Sequence, residues 1–375
     1  MEEVTINKPR RMMVGGRAAV SAAVALAGRR YELFFRVSQG PLAEGAEAFV
    51  LAVLMPAMKV GLPMRVDGAV SPRFLGRVMR LQEFFVARHL EFSVVPIRVA
   101  TGPAIAAPEQ GIGCFFSGGV DSFYSALKLQ DELTHLIFVH GIDIALSKTS
   151  LRRQVAISIR QAAQTMGKGL IEVETNMRDL MDPYCNWLDH AHGIALASVA
   201  HLLSPQLHTV YVAAGNPYED MRSIGMNPLL LFLCSTSEIE IVNDGREVYR
   251  LDKIARLASS DVAMRHLRVC WENRNNAYNC GRCAKCLHTM IQLHLLGALE
   301  RCQTFDRHVD LAALRRANLT TSTEHRALRQ ALQLAEEKGS EPELIEAMHY
   351  CLGKSEGEDE LEGRLKRAEA RRREL

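Results

Sequence analysis

Six residues from Ser117 to Ser122, with the sequence Ser-Gly-Gly-Val-Asp-Ser, have the composition of a phosphate-binding loop. They follow the apolar run GIGCFF and precede an amphipathic pattern, so they form a turn between a strand and a helix. Gly118 and Gly119 let backbone N–H groups approach an anion, and the helix N-terminus adds positive charge. Asp121 either caps this helix or holds a magnesium ion. An ordinary strand–helix turn uses the same residue types, and the ending of a Walker A loop is missing.

Four cysteines late in the chain have the spacing of a metal site. Two consecutive Cys-x-x-Cys steps, formed by Cys280, Cys283 and Cys286, follow a single cysteine at Cys270. Four thiolates complete a closed tetrahedral zinc site, so we predict structural zinc, with a [4Fe–4S] cluster as the alternative. Residues 287–295 continue with helical spacing, which places the last ligands at the start of a helix.

The pattern from residue 111 onward is typical of a parallel α/β sheet. Four short apolar runs, GIGCFF, HLIFVH, LIEVET and HTVYVAA, alternate with helical patterns that start near Asp121, Leu151 and Met177. This alternation predicts a doubly wound, mostly parallel sheet that is covered on both faces. Ligands bind such sheets at the carboxyl ends of the strands, which is where the Ser-Gly-Gly loop lies.

We predict three domains. Residues 1–108 form a small α+β domain that is a candidate for acceptor recognition, and it ends in a Pro-, Gly- and Ala-rich linker at 100–110. Residues 109–300 carry the loop and the cysteines, and residues 301–375 form a helical extension with a charged tail. The predicted strands of the first domain lie near 18–24, 31–37 and 92–99, and its predicted helices near 46–57 and 71–88.

The six-residue loop resembles the PP-loop of the ATP pyrophosphatase (adenine nucleotide alpha hydrolase-like) superfamily, whose pattern is Ser-Gly-Gly-x-Asp-Ser. The cysteine cluster is similar to that of 7-cyano-7-deazaguanine synthase-like members, and the resemblance covers roughly residues 113–296. Members of this superfamily share a HUP-like doubly wound sheet. They split ATP between its α and β phosphates, so that a substrate oxygen is adenylated and a nucleophile then displaces AMP.

The resemblance implies roles for individual residues. Asp121 and Lys253, the latter within YRLDKIARLA, would be catalytic, with the lysine offsetting charge on the departing pyrophosphate. His140 and Gly141 end a strand at the edge where the family binds adenine. Gly215 lies in AAGNPYEDMRSIGMN, where the synthase has its substrate loop. The residues implied to cradle the nucleotide phosphates are Ser117, Gly118, Gly119, Val120, Asp121 and Ser122.

We therefore expect an ATP pyrophosphatase-type, AMP-forming ligase that uses ATP, Mg²⁺ and Zn²⁺. It would activate a carboxylate or carbonyl oxygen of an unknown acceptor for amide- or nitrile-type ligation, with a deazapurine, a peptide or a protein as candidates and tRNA as a weaker one. One alternative is a tRNA sulfurtransferase, for which Cys185 or Cys234 could carry a persulfide. The other alternative is a non-catalytic, zinc-stapled module that senses a nucleotide. Whether two copies pair as a homodimer stays open.

Composition and charge limit the partners and the cellular compartment that we expect for this protein. A formal net charge of +2 over 375 residues does not require a nucleic-acid partner. The most apolar segment, EAFVLAVLMPAMKVGLPM, is interrupted by Pro56, Lys59 and Pro63, which argues against a membrane span. The N-terminal residues lack the apolar stretch of a secretory signal, and nine cysteines without such a signal are typical of a reducing compartment. We therefore expect a cytoplasmic protein.

Overall fold

The computed structural model describes residues 2–103, 111–219 and 225–354. Its strands form one sheet of eleven. In chain order the strands are β1 Val4–Ile6, β2 Arg10–Val14, β3 Arg17–Leu26, β4 Arg29–Val37, β5 Met64–Val70, β6 Ile97–Thr101, β7 Gly111–Phe115, β8 His135–His140, β9 Gly169–Thr175, β10 Leu207–Ala213 and β11 Glu240–Asp244.

Twelve α-helices accompany the sheet in the described residues up to 338, together with a π-helical turn at Trp187–Ala191, and a final helical stretch follows at 342–354. The helices are α1 Glu47–Val60, α2 Pro72–Val86, α3 Val120–Lys128, α4 Thr149–Thr165, α5 Met177–Met181, α6 His192–Leu202, α7 Pro228–Cys234, α8 Arg250–Ala258, α9 Asp261–His266, α10 Ala284–Leu295, α11 Leu311–Arg316 and α12 Ser322–Lys338.

The strand order is β11-β10-β7-β8-β9-β4-β3-β1-β5-β6, and β2 pairs with β3 outside this path. Strands β7 to β11 pair only in parallel with one another, as do β1 with β5 and β5 with β6. Antiparallel pairing is found where β4 meets β9 and around β3. The predicted α/β class and mostly parallel sheet are therefore confirmed.

One face of the sheet is covered by a helical layer built around α1. This helix, EAFVLAVLMPAMKV, is buried from Ala48 to Met58, and a helix that is apolar on all sides must be surrounded by protein. It contacts β1, β3 and β5 on one side and α5 and α6 on the other, while α2 contacts α7. The N-terminal residues of the chain thus share a hydrophobic core with the helices of the parallel strands.

The opposite face of the central strands is also buried. On β8, Ile137 belongs to the core around α1, whereas its neighbours Leu136 and Phe138 are buried outside that core. Because successive side chains of a strand point to opposite faces, these two side chains lie on the other side of the sheet. Helix α4 contacts β8 and β9. The central parallel strands are therefore covered on both faces, as expected of a doubly wound sheet.

The compact units of the fold differ from the predicted domains. The first unit comprises Met1–Ser117 and Asp121–Glu247, and the second comprises Gly118–Val120 and Val248–Leu375. Strand β4 pairs with β9, so the N-terminal strands extend the sheet that carries the loop. As a result, the predicted boundary after residue 108 falls inside the first unit. The predicted boundary after residue 300 falls inside the second unit.

The second unit is helical and has a core of its own. Helix α10 packs on α8 and α12 within it. Leu287, Ile291 and Leu295 of α10 join Leu328 and Leu332 of α12 in the core of this unit. The helical spacing predicted after the last cysteine is therefore confirmed, and α10 begins at Ala284.

Local signals located several elements correctly and missed others. Helix α2 begins as predicted, with Ser71 accepting a hydrogen bond from the Phe74 N–H and proline in the first turn. The strand predicted near residues 92–99 lies at Ile97–Thr101, and the predicted strands do not include β1, β2, β5 or β11. Most of the predicted linker at 100–110 lies outside the described residues. No helix in the described parts of the chain is both long and apolar enough to cross a membrane.

Candidate functional site

The Ser-Gly-Gly loop connects β7 to α3, as its sequence predicts. Strand β7 ends at Phe115, α3 begins at Val120, and Gly118 between them has a φ of +77°. This left-handed conformation explains a glycine at that position, because a side chain would be strained there. The hydroxyl oxygens of Ser117 and Ser122 lie 3.5 Å apart. The loop therefore places two hydroxyl groups close together at the N-terminus of a nine-residue helix, with Ser122 buried.

The loop lies where the strand order of the sheet reverses. Strand β7 has β8 on one side and β10 on the other, so the chain leaves β7 in one direction and later returns on its opposite side. In open α/β sheets, the crevice at such a point, beyond the carboxyl ends of the strands, is the usual ligand site. The segment after β10 meets the loop here, since a Cβ on Gly215 would lie 3.9 Å from Oδ2 of Asp121. Two predicted site residues are thus brought together.

Helix α3 is held to the end of β11 by a polar network. The Ser125 hydroxyl donates to Asp244 at 2.6 Å, and the Lys128 ammonium lies 2.5 Å from the same carboxylate. Lys128 also pairs with Glu247 at 2.6 Å, and the Tyr124 hydroxyl donates to Glu247 at 2.8 Å. Burial alone would lower the pKa of Lys128, but hydrogen bonds to the two carboxylates outweigh it and raise the pKa. The network fixes the helix that begins at the loop.

A buried arginine that sequence reasoning missed holds the segment after β10. Arg246 is 2 % exposed, and its guanidinium donates to the carbonyl oxygens of Asn216 at 3.3 Å and Met226 at 2.6 Å. The Tyr218 N–H in turn donates to the Arg246 carbonyl at 3.0 Å. The planar fork of an arginine suits several carbonyl acceptors at once. Arg246 therefore joins both ends of the segment that contains Gly215.

His140 and Gly141 have structural reasons for their positions. The His140 Nε2 lies 2.9 Å from Glu172, which also receives two hydrogen bonds from Arg160. Burial raises the pKa of Glu172, but the hydrogen bonds from His140 and Arg160 outweigh this effect and lower it to about 2. Gly141 has a φ of +93°, and a Cβ there would lie 2.0 Å from the Thr175 carbonyl oxygen. The His140 side chain is thus engaged in an ion-pair network.

The four predicted cysteines come together in the second unit. Their sulfur atoms all lie within 4.8 Å of one another, and those of Cys280 and Cys286 are 3.9 Å apart. Four sulfurs around one zinc ion, each about 2.3 Å from the metal, would be about 3.8 Å apart. Backbone N–H groups of Cys283 and Cys286 donate to the sulfurs of Cys280 and Cys283 at 3.3 and 3.4 Å. The cluster fits a metal ion bound by four thiolates.

The turn and the helix that carry these cysteines are locally determined. Gly281 has a φ of +66°, which permits the tight turn after Cys280. Asn279 accepts hydrogen bonds from the N–H groups of Val269 and Cys270, and it donates to the carbonyls of residues 267 and 304. Asn279 therefore ties the segment of the first cysteine to the turn of the other three.

The close packing of four thiols makes them unequal as acids. Hydrogen bonds from the Cys283 and Cys286 thiols lower the pKa of Cys270, and the reciprocal interactions with Cys270 raise that of Cys283 to about 12 and also raise that of Cys286. In the absence of a cation, this cluster holds protons that it would give up to a metal, since bound thiols are deprotonated.

The loop and the cysteine segment are joined by a backbone hydrogen bond within the second unit. The Arg268 N–H donates to the Gly118 carbonyl at 2.8 Å. Arg268 is two residues before Cys270 and is buried, with its side chain donating to Asn273 at 2.5 Å. The left-handed glycine of the loop is therefore held by the chain segment that leads into the metal cluster.

Lys253 lies on α8 in the second unit, with its side chain buried. Arg250, one turn earlier, is also buried and donates to the Thr289 hydroxyl at 3.2 Å. Burial first, and then the charge of Arg250, lower the pKa of His288 well below its usual value, so this ring is neutral at pH 7.

A second group that could hold a metal comprises His89, Glu91 and His190, whose candidate ligand atoms lie within 4.8 Å of one another. The Asn186 N–H donates to Nδ1 of His190 at 3.1 Å, so the neutral ring carries its proton on Nε2. That nitrogen is the one that faces Glu91, at 3.6 Å. A protonated nitrogen is not a metal ligand, and both rings pack with Phe85. We therefore interpret this group as a hydrogen-bonded aromatic cluster.

No family model, no curated protein and no solved structure matches this chain.

Proposed function

We propose that the chain binds ATP at residues 117–122 and is an ATP pyrophosphatase-type, AMP-forming ligase. The observation that carries this proposal is the Gly118 turn between β7 and α3, at the point where the strand order reverses. A loop with a left-handed glycine, two serine hydroxyls and a helix N-terminus is suited to a polyphosphate. The order β9-β8-β7-β10-β11 supports the same proposal, because it is a doubly wound order with its ligand crevice beside β7.

In the proposed reaction, an acceptor carboxylate or carbonyl oxygen attacks the α phosphorus of ATP. The bond from the α phosphorus to the bridging oxygen breaks, pyrophosphate leaves with the bonding electrons, and AMP stays on the acceptor oxygen. A nitrogen nucleophile then attacks the activated carbon and releases AMP. The backbone amides and hydroxyls of the loop would bind the leaving pyrophosphate, Asp121 would hold Mg²⁺, and Lys253 would offset developing charge.

Zinc at the cysteine cluster would have a structural role in this proposal. Four thiolates leave no open coordination position for a substrate or a water molecule. Its contribution would be to fix Cys270 and, through the segment at Arg268, the position of the Gly118 carbonyl. A [4Fe–4S] cluster would satisfy the same four ligands, and metal analysis distinguishes the two.

The chemistry of the other thiols favours ligation over sulfur transfer. A persulfide carrier needs an accessible thiol that ionises readily. Both Cys185 and Cys234 are buried, and burial raises the pKa of each to about 12. Neither has the properties of a sulfur-carrying nucleophile in this conformation. The sensing-module alternative predicts nucleotide binding without turnover.

Nucleotide binding and product analysis together test the proposal. Purified, metal-loaded protein would be incubated with Mg²⁺ and ATP and screened with carboxylate, purine, peptide and tRNA acceptors. We expect AMP and pyrophosphate in equal amounts with at least one acceptor, and loss of turnover in Asp121→Asn. The matched control is Asp131→Asn, which removes an exposed carboxylate shortly after α3. ADP as the product, or ATP binding without turnover for every acceptor, would contradict the ligase and favour the sensing module.

A further inference from the structure

The N-terminal half of the sheet has one face that is lined with arginines. Pairing places Arg98, Arg65, Thr5, Ala25 and Arg30 side by side across β6, β5, β1, β3 and β4. Paired residues of neighbouring strands share a face of the sheet. This row therefore has arginines at both ends and small side chains in the middle.

Further rows of the same face lie along β3. Because the side-chain period of a strand is two, Ser21, Ala19 and Arg17 face the same way as Ala25. Opposite these residues and Ala23 are Arg10 and Met12 on β2, and Glu32, Phe34 and Arg36 on β4. We call the surface formed by these rows the arginine face. Its six arginines are Arg10, Arg17, Arg30, Arg36, Arg65 and Arg98, and it also carries the carboxylates of Glu32 and Asp67.

The other face of the same strands is the buried one. Val20, Val24 and Leu33 belong to the core around α1. On β5 the alternation is clear, with Met64 and Val66 buried and Arg65 exposed between them. An antiparallel sheet that packs on one side and meets solvent on the other has this pattern. On the arginine face, Arg10, Arg17 and Arg30 are therefore exposed, whereas Ala19 and Ser21 at its centre are buried.

The charge on the arginine face is only partly compensated. Arg65 and Arg98 pair with Glu3 at 2.6 and 3.9 Å, and Arg36 pairs with Glu174 at 2.7 Å. Arg10, Arg17 and Arg30 are exposed and form no ion pair within residues 2–103, 111–219 and 225–354. Residues 1–103 contain fourteen Lys and Arg against eight Asp and Glu, although the whole chain has a net charge of only +2. Positive charge is thus concentrated in the segment that builds this face.

We propose that the arginine face binds a single strand of RNA. From Arg98 to Arg30 the face is about 19 Å wide, and from Arg17 to Ala25 it is about 27 Å long, at ordinary strand spacing and rise. Small side chains along β3 leave its centre flat, so a sugar–phosphate backbone can lie across it between arginines on either side. Phe34, with the Arg36 guanidinium 5.3 Å from its ring centroid, offers a surface for base stacking.

RNA accounts for these features better than an acidic protein segment does. An acidic peptide requires only positive charge for binding. RNA bases also stack on aromatic rings, and Phe34 provides such a ring between the arginines of β2 and the end of β4. Guanidinium groups also bind phosphate through two parallel N–H bonds. This inference concerns the sheet face alone. RNA binding at this face does not depend on ATP chemistry at the Ser-Gly-Gly loop.

The test measures RNA binding without ATP. A fluorescein-labelled, unstructured 20-nucleotide RNA would be titrated with the full chain by anisotropy at several salt concentrations. The triple variant Arg10→Gln/Arg17→Gln/Arg30→Gln removes three charges from the face. The matched control Arg73→Gln/Arg80→Gln/Arg88→Gln removes three exposed arginines of α2 and the turn after it.

We expect the face variant to weaken binding about 100-fold at 0.1 M salt and to reduce the salt slope by about 2, as expected for three lost phosphate contacts. The control should bind nearly as the unmodified chain does. Photocrosslinking with 4-thiouridine RNA should label peptides of β3 and β4. Equal losses in both variants, crosslinks confined to other segments, or displacement by polyglutamate as effective as by unlabelled RNA would overturn the proposal.

Discussion

The acid stability of the sheet should depend on one buried carboxylate, Glu172. Its side chain on β9 is 9 % exposed and bonds to His140 and Arg160. Its pKa falls from an ordinary 4.5 to about 2 in the folded chain. A group with a lowered folded pKa stabilises the fold above its unfolded pKa, and this stabilisation is lost as the pH falls toward the folded pKa. A difference of about 2.5 units corresponds to roughly 3 kcal/mol.

Urea unfolding of Glu172→Gln and of the unmodified chain at pH 7 and pH 3 measures this effect. At pH 7 we expect the variant to be less stable by about 3 kcal/mol, because Gln lacks the charge and its NH2 group cannot accept the hydrogen bonds that one Glu172 oxygen receives. As the pH falls to 3 the unmodified chain should lose more than half of that advantage, so the difference between the two should narrow. The control, Glu240→Gln, changes an exposed residue of β11 and should shift stability little. A difference that stays constant with pH would refute the reasoning.

Three further predictions concern the elements around the loop and the cysteines. Asp244→Asn removes the charged acceptor of Ser125 and Lys128 and should destabilise the fold by about 2–4 kcal/mol in urea unfolding; an unchanged midpoint would contradict the role of this network. Arg246→Gln should increase hydrogen exchange in peptides covering 214–219 and 225–227, because the hydrogen bonds from Arg246 to carbonyls of both segments are lost. Protection equal to that of the unmodified chain would contradict this role of Arg246. Asn279→Ala should weaken metal retention 10- to 100-fold in a chelator competition; unchanged retention would show that its hydrogen bonds do not support the cluster.

The parts of the fold that could be predicted from sequence are those determined by local residues. The runs that became β7 to β10 are continuous and apolar because both of their faces are buried. The four cysteines could be located because ligand spacing is a property of the chain. In contrast, β5, with the sequence MRVDGAV, has only alternating apolar residues, and β11 is short and polar. Such strands are defined by their neighbours in the sheet.

Long-range pairing explains the remaining differences. Nothing within residues 29–37 or 169–175 indicates that β4 and β9 pair, yet this pairing merges the predicted first domain with the loop-bearing sheet. Arg246 was missed for a similar reason, since its carbonyl partners are 20 to 30 residues away in the chain. The role of His140 as a partner of Glu172 also requires the register of β8 with β9. Register is set by packing, which a single sequence does not display.

The identity of the phosphate-containing products tests the central claim most directly. Phosphorus-31 NMR of the metal-loaded chain with Mg²⁺, ATP and an active acceptor separates cleavage between the α and β phosphates from cleavage between β and γ. The account predicts AMP and pyrophosphate in equal amounts, with neither formed by Asp121→Asn. ADP and inorganic phosphate would contradict it.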